Sequence, residues 1–166
     1  LYRVDRRHRQ MCIRDRTIST HEFYGKQDKV VFSYHGIPKK YFDKGDPYHC
    51  FCQKTSRLVA EALGLEESQY ITSFQSRLAA AGREWLKPYT SELMTRLPHE
   101  GAKKILILSP GFSMDCLETI EEIDEENKEI FLDSGGEAFH YIACLNDNDE
   151  HVEAVNNLIT KKISQL

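Results

Sequence analysis

The chain lacks any long hydrophobic run. None of its apolar stretches approaches the roughly 18 residues that a membrane-spanning helix needs, and no secretory signal is visible. With 166 residues, of which 40% are hydrophobic and 29% charged, it has the length and composition of one globular domain. We therefore expect a soluble, cytoplasmic protein.

Cysteines are few and form no framework. The five occur at positions 12, 50, 52, 116 and 144, without the spacing of a zinc site or an even disulfide pattern. Reduced thiols in a cytosolic protein are the expectation. In a helix that begins near Asp46-Pro47, Cys50 and Cys52 point about 200° apart, so they cannot grip one ion and are predicted to be structural.

The chain also lacks a G-x-G-x-x-G motif, which disfavours dinucleotide binding. Residues 1–16 carry six Arg and two Asp without apolar periodicity, and we interpret them as a non-native leader preceding a domain at residues 17–166. Subtracting them from the 22 basic and 26 acidic residues of the chain leaves 16 and 24, a net charge of -8 in place of -4. This acidity argues against a nucleic-acid partner, although a basic arm is the competing interpretation of the leader.

What is present is an alternation of strand and helix patterns. Strands are predicted at 29–35, 70–74, 103–109 and 139–144, and helices at 47–63, 89–99, from about 115 to Gly135-Gly136, and at 149–164. Four such βα units predict an α/β fold with a doubly wound parallel sheet of Rossmann-like type.

An acidic stretch follows the third strand. In an α-helix, Glu118, Glu122 and Glu126 drift only about 40° per step, so the three carboxylates share one face, where a hard cation would find oxygen ligands. A solvated acidic face is the alternative. Asp115, just before this helix, is interpreted either as a metal ligand or as the N-cap of the helix.

A histidine follows the first strand. His35 leads the sharp turn His35-Gly-Ile-Pro38 directly after an apolar run. Lone histidines are more often structural than catalytic, but ligand sites of doubly wound sheets lie at the carboxyl ends of strands, where His35 falls.

These residues belong to a larger set of ordered motifs. They are Ser33-Tyr-His-Gly-Ile-Pro38, Gly45-Asp-Pro-Tyr48, Phe74-Gln-Ser-Arg77, Trp85-Leu-Lys-Pro-Tyr-Thr90, Pro110-Gly-Phe112 and Asp115-Cys-Leu-Glu-Thr-Ile-Glu-Glu122. Together they resemble the signature of the second half of ferrochelatases. The resemblance implies insertion of Fe²⁺ into a porphyrin with loss of two protons, and a facing first half-domain as the missing partner. Protoporphyrin IX is the expected acceptor, with coproporphyrin III left open.

The resemblance also assigns roles. His35 would be the base or a passing iron ligand, and Glu118 would face the macrocycle. Asp115, Glu122 and Glu126 would hand over metal or carry protons out. The substrate-binding set is Tyr34, Trp85 and Phe112, for which core packing is the alternative, and Arg77, which would pair with a propionate.

Two other functions stay open: a cobalt or sirohydrochlorin chelatase, and a non-catalytic Rossmann-like domain that binds haem or metal. Iron enters as substrate, so we expect no permanently bound cofactor, and without a three-cysteine group near residue 166 we expect no iron–sulfur cluster. The expected partners are porphyrin and iron, with peripheral membrane contact through the apolar ligand. The chain alone is expected to be inactive.

Overall fold

The computed structural model of the chain describes residues 18–77 and 84–165, and the predicted leader 1–16 lies outside them. Four parallel strands form one sheet in the order β2-β1-β3-β4. The strands are β1 (Lys29–His35), β2 (Tyr70–Gln75), β3 (Lys104–Leu108) and β4 (Ala138–Ile142). Each lies within two residues of its predicted bounds, and the predicted α/β fold with a parallel sheet is confirmed.

Helices connect the strands. They are α1 (Lys39–Asp43), α2 (Tyr48–Leu63), α3 (Thr90–His99), the acidic helix α4 in three parts (Leu117–Thr119, Ile120–Asn127 and Lys128–Asp133) and α5 (Asp149–Ile163). The short α1 and a 3-10 turn at Glu67–Gln69 were not predicted, since neither carries a hydrophobic period. None of the described helices is long and apolar enough to cross a bilayer.

The sheet divides two hydrophobic cores. Along β1, Phe32 and Tyr34 join the core that contains Val59 and Ala60 of α2, whereas Val31 joins the other core with residues of α3 and α4. Successive side chains of a strand point to opposite faces, so each strand supplies both cores. On α2, Cys52 is buried and Cys50 is exposed, which confirms that the two thiols face apart.

The middle of α4 is a π-helix, not the regular α-helix that the sequence predicted. Four buried residues recur along α4 at a strict four-residue spacing: Thr119, Ile123, Asn127 and Phe131. In an α-helix this spacing drifts about 40° per step, or about 120° over the set, which would turn its end away from the sheet. The wider π turn, with bonds between residues five apart, cancels much of that drift and keeps the four on the inner face.

Candidate active site

An open cleft of about 640 Å³ lies at the carboxyl edge of the sheet, where β1 and β2 end and α4 begins. Ligand sites collect at this edge in doubly wound sheets. Six of the residues singled out in the sequence line it, together with Ser76, Leu117 and Glu121. The six are His35, Arg77, Trp85, Glu118, Glu122 and Glu126.

His35 ends β1 with its side chain exposed towards the cleft. Its Nδ1 lies 2.6 Å from the carbonyl oxygen of Gly36. A carbonyl only accepts hydrogen bonds, so Nδ1 must carry the proton and Nε2 keeps its lone pair in the neutral ring. The hydroxyl of Tyr48 donates to the His35 carbonyl at 2.8 Å and holds the backbone at this point. The ring is thus oriented as a proton acceptor.

Close packing of the turn after His35 brings Trp85 to the cleft. A Cβ atom on Gly36 would lie 2.9 Å from the carbonyl oxygen of Gln75 and 3.4 Å from the Trp85 ring. Only glycine therefore lets the turn after β1 pack this closely against the segments that carry Gln75 and Trp85. The Leu86 backbone N–H donates to the Ile37 carbonyl at 3.0 Å, which pins the segment that carries the indole.

Glu118 lies in the first turn of α4, where the partial positive charge of a helix start favours a carboxylate. A hydrogen bond from the Cys116 thiol is the main cause that lowers its pKa. Its own backbone N–H and the charge of His35 add to this, against a smaller opposing effect of burial. Glu118 is therefore ionised at neutral pH and carries negative charge into the cleft.

Glu122 makes a structural contact with Ser76. Its two carboxylate oxygens accept hydrogen bonds from the backbone N–H and the hydroxyl of Ser76, at 2.7 and 3.1 Å. Ser76 has a φ of 62°, a left-handed conformation that is costly for a residue other than glycine. The carboxylate of Glu122 compensates for this strain and fixes the turn that follows β2.

The carboxylates form a row along the cleft and not a closed coordination shell. Among residues 18–77 and 84–165, no group of three or more His, Cys, Asp or Glu side chains is arranged to hold a metal ion. Since α4 presents Glu118, Glu122 and Glu126 to one cleft, the predicted shared face is present. Their role towards metal stays a prediction.

Arg77 stands beside the cleft with its guanidinium over the ring of Tyr89, at 4.3 Å from the ring centroid. Stacking on an aromatic face orients a guanidinium while leaving its N–H groups free to donate. The geometry suits contact with a ligand carboxylate.

Sequence reasoning missed the residue that joins these parts. Gln75 is 2% exposed and ends β2. Its Oε1 accepts hydrogen bonds from the hydroxyls of Ser33 (2.8 Å) and Ser109 (3.1 Å), while its Nε2 donates to the backbone carbonyl of Glu118. One amide thereby ties the ends of three strands to the first turn of α4. The available signal was an amide side chain at a strand end, facing hydroxyls at the ends of two neighbouring runs.

Asp115 is not brought to the cleft. Its carboxylate accepts hydrogen bonds from the Tyr141 hydroxyl (2.7 Å), the Asn146 amide (2.8 Å), the Thr119 hydroxyl (3.1 Å) and the Cys144 backbone N–H (3.2 Å). Burial by itself would raise the pKa of Asp115, but these hydrogen bonds outweigh burial and lower it. Nor is Asp115 the N-cap, because that position belongs to Cys116. Asp115 therefore joins the start of α4 to the segment after β4.

Tyr34 and Phe112 are also placed away from the cleft lining. Tyr34 is 3% exposed and bonds to the Ser56 hydroxyl at 3.1 Å, because strand alternation directs it to the face opposite His35. The structure thus places it in the core, as the packing alternative has it. Phe112 is half-buried, with its ring centroid 6.3 Å from that of His35, and it lines a small neighbouring cavity with His151.

Comparison with known proteins gives the family. The ferrochelatase family model matches residues 10–163. Ferrochelatases of Marinobacter nauticus, Idiomarina loihiensis and Vibrio parahaemolyticus are 57%, 53% and 51% identical over 136, 140 and 142 residues, which are 82%, 84% and 86% of this chain. The chain spans only 36%, 38% and 44% of those relatives.

A solved structure shares the fold at low identity. It is that of a putative cobalamin biosynthesis CbiX protein from Marinobacter aquaeolei VT8, with a TM-score of 0.51 and 9% identity over 83% of this chain and 98% of that one. This likeness concerns the fold alone. The family match over nearly the whole chain, together with relatives above 50% identity, shows that the chain belongs to the ferrochelatase family.

Proposed function

We propose that the protein inserts ferrous iron into a porphyrin, with protoporphyrin IX as acceptor, to form haem and release two protons. The observation that carries the proposal is that one open cleft combines a histidine with a free Nε2 lone pair, an ionised carboxylate and an indole: His35, Glu118 and Trp85. Family membership supports the same reaction.

The proton balance gives each group a task. Two pyrrole N–H groups lose their protons as the nitrogens form bonds to iron. In the proposal, Nε2 of His35 accepts one pyrrole proton, because Nδ1 is occupied by the Gly36 carbonyl, and the carboxylate of Glu118 accepts the other once the cation has passed to the porphyrin. Glu118 lowers the energy of the arriving cation and of the protonated imidazole through its negative charge.

Iron would reach this point along the carboxylate row. Oxygen ligands hold Fe²⁺ less tightly than thiolates do, so the ion can leave for the porphyrin. Glu126 would receive the ion and Glu118 would pass it on, while Glu122 keeps the Ser76 turn in place. Asp115 takes no part, because its oxygens already serve neighbouring groups.

The macrocycle would be held by apolar contact and one charge. Trp85 offers a flat ring, and the largely exposed side chain of Leu117 adds apolar surface at the same cleft. Arg77 would bind a propionate through its guanidinium N–H groups.

The reaction needs more protein than this chain contributes. The chain spans about two fifths of its curated relatives, and its cleft is open on one side. Metal desolvation and fixed placement of the macrocycle both require an enclosed site. We propose that the remaining polypeptide covers the other face of the porphyrin and that the chain alone is inactive.

The proposal includes a cytoplasmic location with peripheral membrane contact through the apolar porphyrin. Four free thiols in the described residues suit a reducing compartment: Cys50, Cys52, Cys116 and Cys144.

The test uses a full-length hybrid, in which residues 17–166 replace the matching segment of the Marinobacter nauticus ferrochelatase. We expect anaerobic metallation of protoporphyrin IX with Fe²⁺, read as the loss of porphyrin fluorescence. The His35→Ala variant should lose metallation but retain porphyrin binding. Porphyrin binding without metallation in the unmodified hybrid would favour a binding protein, and a preference for cobalt and sirohydrochlorin would favour the other chelatases.

A further inference from the structure

The last described helix, α5, stands apart from the packing of the domain. His151 is the only buried residue among Asp149–Ile163. In the described part of the chain, both hydrophobic cores and the half-buried side chains packed against them come from other elements. A helix of 15 residues is marginal by itself in water, and most helices in proteins depend on packing of an apolar face.

Such a face exists on α5, but it points outward. Four aliphatic side chains form the α5 stripe: Val152 (55% exposed), Val155 (41%), Ile159 (53%) and Ile163 (64%). Their spacings of three, four and four residues put them on one side of the helix. Single exposed apolar residues are ordinary, whereas an aligned set on one helix marks a contact surface.

The side of α5 that faces the domain is a different one. His151 is buried and Ala154 and Leu158 are half-buried, so these three mark the inner side. The α5 stripe lies beside this inner side. Asn157 lies on the side of the helix opposite the stripe. Burial against its own domain therefore leaves the stripe uncovered.

The α5 stripe is too small to hold a second copy of the chain. Four half-exposed Val and Ile side chains offer roughly 200 Å² of apolar surface, judged from their transfer free energies. A specific complex between separate molecules buries about 800 Å² per partner. A contact inside one polypeptide needs less area, because the covalent link supplies a high effective concentration.

The lengths of the relatives indicate what covers the α5 stripe instead. The family match extends to residue 163, so the whole stripe lies within it, yet the chain spans only 36–44% of the relatives described above. We propose that the α5 stripe is a docking surface for an apolar patch on the part of the complete polypeptide that this chain does not include. The stripe thereby fixes how the two parts sit around the cleft. This inference rests on family membership and not on the proposed reaction.

The experiment compares one substitution in two proteins. Ile159→Glu places a charge in the middle of the stripe, and Asn157→Glu places the same charge on the far side of α5 as a matched control. Both are made in residues 17–166 alone and in the full-length hybrid, and thermal unfolding is measured. We expect Ile159→Glu to lower the midpoint by several degrees in the hybrid only, with Asn157→Glu near the unmodified protein in both.

Hydrogen exchange gives a second reading without any substitution. The amides of α5 should exchange about tenfold or more slowly in the hybrid than in residues 17–166 alone, since docking suppresses local opening. Equal exchange, or equal midpoints for the two variants in the hybrid, would overturn the proposal. So would a dimer of residues 17–166 in sedimentation that Ile159→Glu converts to monomers. Metallation is not measured, so failure of the proposed function would leave this test intact.

Discussion

Asp115 and Glu118 lie three residues apart, and hydrogen bonds lower the pKa of both, yet their surroundings differ. Asp115 has its oxygens filled by four donors, one from Thr119 and three from residues 141–146, whereas Glu118 faces the open cleft beside His35. A lowered pKa is therefore no sign of function by itself. What distinguishes the two carboxylates is whether the ionised group has oxygens left to offer.

The largest expected effect is a loss of activity at Glu118 that Asp115 should not show. Glu118→Gln in the full-length hybrid should reduce metallation about a thousandfold, because the amide keeps the shape but loses charge and proton acceptance. Its melting temperature should fall only slightly, because the carboxylate is open to solvent. Glu125→Gln, on the same helix but outside the cleft lining, is the control and should keep full activity. Near-normal turnover of Glu118→Gln would remove Glu118 from the mechanism.

Asp115 should show the opposite pattern. Asp115→Ala leaves the donors of Tyr141, Asn146 and Cys144 without an acceptor, so the free energy of unfolding should fall by about 3 kcal/mol. Urea unfolding of residues 17–166 measures this. Metallation per folded molecule of the hybrid should persist, and its selective loss in a stable Asp115→Ala protein would restore Asp115 to the site.

A substitution of Gln75 should reduce both metallation and stability, each by less than the substitutions of Glu118 and Asp115 do. Gln75→Leu removes the acceptor of two buried hydroxyls and the donor to the Glu118 carbonyl, at a cost of about 2 kcal/mol in unfolding free energy. In the hybrid, kcat for metallation should fall while porphyrin affinity is kept, because Glu118 is displaced and Trp85 is not. Parallel loss of kcat and porphyrin binding would indicate general disruption of the cleft.

Glu122 and Glu126 are expected to differ although both belong to the carboxylate row. Glu122→Ala should lower the unfolding free energy by about 1 kcal/mol, because Ser76 loses the carboxylate that holds its left-handed backbone. Glu126→Ala should leave it unchanged or slightly higher, since like-charge repulsion is relieved. Equal changes in urea unfolding at the two positions would contradict the proposed contact.

The smallest effect concerns pH. The folded-state pKa of Asp115 lies below its unfolded value of about 3.9, so the unfolded chain binds more protons in that window and stability falls as pH drops below about 4. Asp115→Asn should flatten this acid slope. Glu118→Gln should flatten it less, because its carboxylate is more open to solvent. Unfolding free energies between pH 2 and 5 would reveal the order of the two.

The strands and most of the site could be predicted from sequence because their signals are local. The β-branched runs fix β1 and β3, and alternation along β1 already separates His35 from Tyr34. The ordered motifs brought His35, Trp85 and Glu118 to one edge correctly.

The features that were not predicted from the sequence depend on contacts between segments far apart in the chain. The Glu122 bond to Ser76 joins residues 46 apart, and the Gln75 bond to Glu118 joins residues 43 apart, so no local pattern announces either. The π-helix was also not predictable. The four-residue spacing from Thr119 to Phe131 is a spacing of buried residues, and because Thr119 and Asn127 are polar it leaves no hydrophobic period in the sequence.

Trp85 has a practical consequence, because it is the only tryptophan in the chain and it lines the cleft. All indole emission of residues 1–166 therefore originates at one wall of the cleft, and a porphyrin bound there as proposed would quench it by energy transfer. The protein carries its own optical probe of occupancy, and a titration followed at the indole wavelength reports entry of a ligand without any label.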